Sequence, residues 1–130
     1  VYLLDTSVWI GYLKGVPALV LRIQSEPQIG ISSVSLGELY YGARKSQRVE
    51  ANLGRLEVLR SEVPVFEVDT TVAEVYGMVR ADLERQGARI GPNDLWIAAT
   101  ARAHDLVLVS RNQREFVRIA GLRLDNWEAP

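Results

Sequence analysis

The sequence contains no cysteine and a single histidine, His104. The first absence removes disulfides, thiolate metal sites and cysteine nucleophiles together. The second excludes a paired-histidine acid–base mechanism and any zinc site that needs two imidazoles. Ser7 has no histidine in its segment and no G-x-S-x-G elbow occurs, so a serine-hydrolase triad is not indicated. Neither a P-loop nor a dinucleotide-binding glycine fingerprint is present. The pair Asp5 and Ser7 lacks the second aspartate of a D-x-D phosphatase. No apolar run approaches the roughly 20 residues that span a bilayer. The opening Val1–Asp5 has no basic segment or cleavage site, so it does not read as a signal peptide; the lack of cysteine suits a cytoplasmic protein. The net charge of −1 gives no global positive field to attract nucleic acid.

What is present suits one compact domain over residues 1–130, since 48% of residues are hydrophobic and 24% charged. Short apolar runs predict strands at Tyr2–Leu4, Ile29–Ile31, Val63–Val68 and Leu106–Val109, with a last edge strand at Arg123–Trp127. Helical patterns occupy Thr6 to about Lys14, a short segment from Pro17, Leu36 to Ala43 behind Ser35, and Val49 to Leu59. A long helix follows Asp69 or Thr70 and ends near Gln86–Gly87. A further helix, Leu95–His104, is apolar nearly all round and should be buried. Strands alternating with helices predict an α/β fold of three layers, with a mostly parallel sheet of four to five strands flanked by helices.

Ligands in such sheets bind outside the carboxyl ends of the strands. Asp5 stands at one such end, and Ser110, Arg111 and Asn112 at another; Glu38 and Asp94 lie in first turns of helices. Each acid has a plain structural role open to it. Asp5 can cap the helix after it, Glu38 can complete an S-x-x-E capping box with Ser35, and Asp94 can favour a helix dipole. Three carboxylates at one sheet edge, however, repel one another unless a cation compensates. Mg²⁺, with Mn²⁺ as substitute, suits oxygen ligands in a chain without thiols. Arginine far outnumbers lysine, and the clusters around Arg44, Arg89 and Arg111 are candidate phosphate contacts, or else solvated helix faces. His104 reads as a helix C-cap, and Trp9, Trp96 and Trp127 as core or interface. Leu36, Leu39, Tyr40 and Ala43 form an apolar face best read as core.

The motifs Tyr2–Ser7, Ser32–Gly42, Pro92–Ala101, Leu106–Phe116 and Gly121–Trp127 occur in an order and spacing that resembles PIN-domain proteins, and among them VapC-type toxin ribonucleases. The resemblance spans nearly the whole chain. It implies a PIN fold, Mg²⁺-dependent cleavage of RNA such as transfer RNA, a VapB-like antitoxin partner and a homodimer. It places metal-binding acids at Asp5, Glu38 and Asp94. Many relatives carry a fourth acid where this sequence has Asn112, which leaves the fourth position open between Asn112 and Glu115. Thr6 and Ser110 are expected to support the ligands by hydrogen bonds. The implied chemistry is in-line attack by a metal-activated water, leaving a 5′-phosphate and a 3′-hydroxyl. The competing expectations are an RNA- or partner-binding module that has lost catalysis, and a metal-dependent DNA nuclease or phosphatase.

Overall fold

The computed structural model describes residues 1–128. Its strands are β1 (Tyr2–Leu4), β2 (Ile29–Ser32), β3 (Val65–Phe66), β4 (Val107–Val109) and β5 (Arg123–Asp125). They form one sheet in the order β3-β2-β1-β4-β5. Every pairing is parallel, so the sheet has five strands and no antiparallel member. The helices are α1 (Thr6–Leu13), α2 (Pro17–Ser25), α3 (Ser33–Arg44), α4 (Val49–Glu62), α5 (Thr70–Arg85), α6 (Pro92–Ala103) and α7 (Gln113–Phe116).

A parallel sheet is stable when both faces are covered, and here the strand pleat divides the core in two. Leu3 and Leu4 are adjacent in β1 and fully buried on opposite sides. Leu4 packs with Trp9, Leu19, Ile31 and Leu56, whereas Leu3 packs with Val79, Ile97, Leu108 and Phe116. The first group belongs to the layer of α1 to α4 and the second to that of α5 to α7. Helix α6 is buried as its all-round apolar pattern predicts, with Ile97, Ala98, Ala99 and Ala101 inaccessible. Leu36, Leu39 and Ala43 are likewise core, while Tyr40 reaches the surface and donates to Glu57.

Four local expectations need correction. Helix α3 starts three residues earlier than the sequence pattern suggests, because Ser32 and not Ser35 is its N-cap; Ser32 Oγ accepts the Ser35 N–H at 3.0 Å. Only Val65 and Phe66 of the alternating Val63–Val68 stretch pair as a strand. Pro64 has no N–H to give and offers only its carbonyl, which accepts Ile31 N–H, and Asp69 already caps α5. Helix α6 opens at Pro92, whose fixed φ suits a first helical position. At the other edge the strand ends at Asp125 and does not reach Trp127. Gly30 is required by a close approach, since a Cβ there would lie 2.4 Å from Phe66 Cε2.

Candidate functional site

The strand order reverses between β1 and β4, and the crevice at such a reversal is where open α/β sheets bind ligands. Asp5 enters that crevice directly from β1, its N–H bonded to Val109 O at 3.0 Å. The residue is 4% exposed. Its Oδ1 accepts Val8 N–H at 3.0 Å and the Ser7 hydroxyl at 2.9 Å, so Asp5 caps α1 as its position suggested. Oδ2 takes part in no hydrogen bond among the described residues. One oxygen therefore fixes the carboxylate while the other remains for a ligand.

Glu38 lies in the second turn of α3. With the cap moved to Ser32, the expected box between Ser35 and Glu38 does not form. The Thr6 hydroxyl donates to Glu38 Oε1 at 2.5 Å and stands 2.9 Å from the Ser35 hydroxyl. Thr6 has one hydroxyl proton, which the carboxylate takes, so Ser35 donates to Thr6. This relay of two hydroxyls links α1 to α3 and orients Glu38. Ser35 is fully buried, and sequence reasoning assigned it only to capping; its burial on the inner face of α3 was the signal that periodicity could have given. Replacing Thr6 with Val removes the donor at nearly constant volume. It should weaken metal binding or turnover by 10- to 100-fold, the usual cost of losing such a supporting bond. Titration calorimetry with Mg²⁺ beside a melting curve will check this, the melt remaining close to the parent's.

Asp94 is the third residue of α6, whose N-cap, Gly91, offers no side chain. The helix dipole favours an acid there. Burial nevertheless raises its pKa from 3.8 to about 6, reinforced by the charges of Asp5, Glu38 and Glu115 in that order. The three other carboxylates thus bear on Asp94, which is half-buried. Glu115, on α7, presses on Asp94, while Asn112 has no charge to contribute; it is the α7 N-cap and makes no side-chain cap bond. Ser110 is fully buried, and its Oγ accepts Asn112 N–H at 2.9 Å, holding the turn after β4.

The remaining candidates fall elsewhere. Arg111 pairs with Glu128 at 2.9 Å, which engages the cation within the chain. Arg44 is exposed in the last turn of α3, and Arg89 lies in the loop before α6. Arg80–Glu84 and Arg85–Asp82 are exposed pairs along α5, worth little to stability. His104 is the C-cap of α6, with Nε2 3.5 Å from Asp69. Trp9 and Trp127 are core, and Trp96 stacks on Tyr76 at 3.6 Å between ring centroids.

Among the described residues, no three acidic or histidine side chains stand close enough to enclose an ion as they are placed. The donor chemistry still fits one kind of cation. All four groups offer oxygen, and Mg²⁺ keeps several waters and needs only one or two carboxylates from a protein, so a closed cage is not required.

A PIN-domain profile matches residues 2–122. The chain belongs to the PIN-domain family. It is 42% identical over 128 residues to the tRNA(fMet)-specific endonuclease VapC of Shigella flexneri, covering 97% of each chain. A ribonuclease VapC2 of Haemophilus influenzae is 40% identical over the same length and coverage. Among solved structures, the DNA-bound VapBC of Salmonella typhimurium superposes with a TM-score of 0.92 at 40% identity, covering 97% of each chain. The VapBC2 of Rickettsia felis bound to a promoter DNA fragment gives 0.91 at 34% identity, covering 98% of each. This PIN chain thus sits among VapC nucleases, which are generally metal-dependent. Among the described residues, no helix is long and apolar enough to cross a membrane.

Proposed function

We propose that this PIN chain is the toxin of a VapBC-type toxin–antitoxin pair and an endoribonuclease that uses Mg²⁺, or Mn²⁺ in its place, to hydrolyse RNA in the cytoplasm. One observation carries the catalytic assignment: three carboxylates, Asp5 between β1 and α1, Glu38 on α3 and Glu115 on α7, bear on Asp94 of α6 at the crevice between β1 and β4. Asp5 and Asp94 would hold the cation directly, Glu38 through oxygen or water, and Glu115 supplies the fourth acid. When bound, the cation supplies Lewis acidity, acidifying water and offsetting charge that builds on the phosphoryl oxygens. Asp5 contributes a carboxylate already fixed by Val8 N–H and Ser7. The Ser35–Thr6 relay holds Glu38 in one orientation, so little ordering is left to the moment of reaction. Asp94, its pKa raised to about 6, would hold the cation as its ionised carboxylate.

The likeness to a tRNA(fMet)-specific endonuclease supports initiator transfer RNA as the substrate. Relatives solved as VapBC complexes support a VapB-like antitoxin as the protein partner, and the family resemblance supports a second copy of the chain as a homodimer partner. A substrate comparison tests the reading: purified protein with Mg²⁺ against labelled initiator transfer RNA, an elongator transfer RNA, DNA and a phosphomonoester. Site-specific cutting of the initiator alone is expected, and chelation should stop it. Equal hydrolysis of DNA or of the phosphomonoester would overturn the assignment.

A further inference from the structure

We propose that the groove between α5 and the loop entering α6 is a second RNA-contact site, in which Arg89 and Arg118 hold backbone phosphates of the strand whose cleavage point lies at the acids. The inference rests on the ribonuclease reading above and extends it to residues outside the carboxylate cluster.

The groove is a hollow of about 610 Å³ walled by Tyr76, Arg80, Leu83, Arg89 and Pro92. Residues 87–89 also border a second hollow of about 570 Å³, whose walls include Gln86 and Arg118. Two features identify the occupant as polyanionic. Arg80 is committed to Glu84 at 3.2 Å and to the Tyr76 hydroxyl at 3.0 Å. Arg89 and Arg118, by contrast, make no ion pair among the described residues. Three guanidinium groups thus face one carboxylate, a local positive surplus in a chain of net charge −1. Guanidinium forks bind phosphate oxygens in pairs, so the surplus is of a kind suited to a nucleic-acid backbone.

The walls and the position agree with that occupant. Tyr76 is braced from behind by Trp96, the two rings 8° from parallel, which gives a fixed aromatic face of the sort bases stack on. Pro92 and Leu95 line the groove from the first turn of α6, the turn that carries Asp94 among the acids. A strand engaged at the acids therefore has a cationic groove beside it, bordered by the same turn of α6.

Binding of labelled initiator transfer RNA, measured in chelator between 50 and 200 mM salt, tests the assignment without cleavage. For Arg89→Gln/Arg118→Gln we expect affinity to fall tenfold or more at the lower salt. The log–log salt slope should become shallower by roughly 1.4–1.8, the share of two phosphate contacts. Arg89→Lys/Arg118→Lys keeps the charge and should keep most of the slope. If the double glutamine variant melts early, each single variant should remove about half of the slope change. An unchanged slope and affinity in folded variants overturns the groove. Wild-type protein that binds RNA through Arg89 and Arg118 but cuts none with Mg²⁺ overturns the ribonuclease reading instead, leaving the groove in place.

Discussion

Replacing Asp5 with Asn is expected to lower RNA cleavage by on the order of a thousandfold or more while leaving the fold unmoved. The size follows from the several kcal/mol that a bound cation contributes to a phosphoryl transition state. Preservation of the fold follows from geometry. Only Oδ1 caps α1, through Val8 N–H and the Ser7 hydroxyl, and an asparagine oxygen can accept both bonds. Asparagine is also among the best N-cap residues, so the melting temperature should stay near that of the parent. Asp5→Ala separates the two roles, because it removes the cap as well and should cost a further 1 kcal/mol or so of stability. Cleavage of labelled transfer RNA and thermal melts of the three proteins decide the matter. Full activity in metal-supplied Asp5→Asn would end the metal-ligand assignment.

The second large effect concerns Asp94 and has opposite signs in stability and in activity. Its carboxyl is raised from 3.8 to about 6 by burial and by three neighbouring acids. In the metal-free protein the unfolded chain releases this proton as pH rises past about 4, whereas the folded chain keeps it until about 6. The folded state binds the extra proton in that window, so stability falls as pH rises through it and stays lower above it. Solvent screening of a half-buried group limits the loss to about 1–2 kcal/mol. Asp94→Asn removes the penalty. At pH 7 without metal it should melt a few degrees above the parent, and the difference should vanish near pH 4. Mg²⁺ should stabilise the parent but not the variant, and the variant should lose cleavage as Asp5→Asn does. Melts across pH 4 to 7.5, with and without Mg²⁺, report all three outcomes; a variant that tracks the parent throughout would show that Asp94 carries no charge strain.

Much of the layout was legible because it depends on period and composition. Leu3 and Leu4 had to face opposite sides of a covered sheet, and the stretch Leu95–Ala101 of α6, apolar on nearly every face, could only be largely interior. Asp5 and Asp94 were placed correctly at a strand end and in a first helical turn, since both positions are local. The failures arose where several local solutions were equally good. Ser32, Ser33 and Ser35 can each cap a helix, and the end of β2 decides among them. That decision turned Glu38 from a capping residue into one held by Thr6 from another helix. Ion pairing of Arg111 with Glu128 and the approach of Glu115 to Asp94 are tertiary facts, invisible to any window along the chain. Strand order, and with it the crevice, lay equally beyond a local reading.

That the four acids come from positions 5, 38, 94 and 115 has a consequence for the timing of synthesis. Asp5 is made before its partners, which arrive with α3, α6 and α7, and β4 must seat beside β1 before the crevice exists. At about 5–20 residues per second, translation leaves the incomplete site without its last two acids for several seconds. Until α6 and α7 have been made and β4 has seated, the site of a nascent chain is incomplete, and any truncation before α7 leaves the carboxylate group short of Glu115.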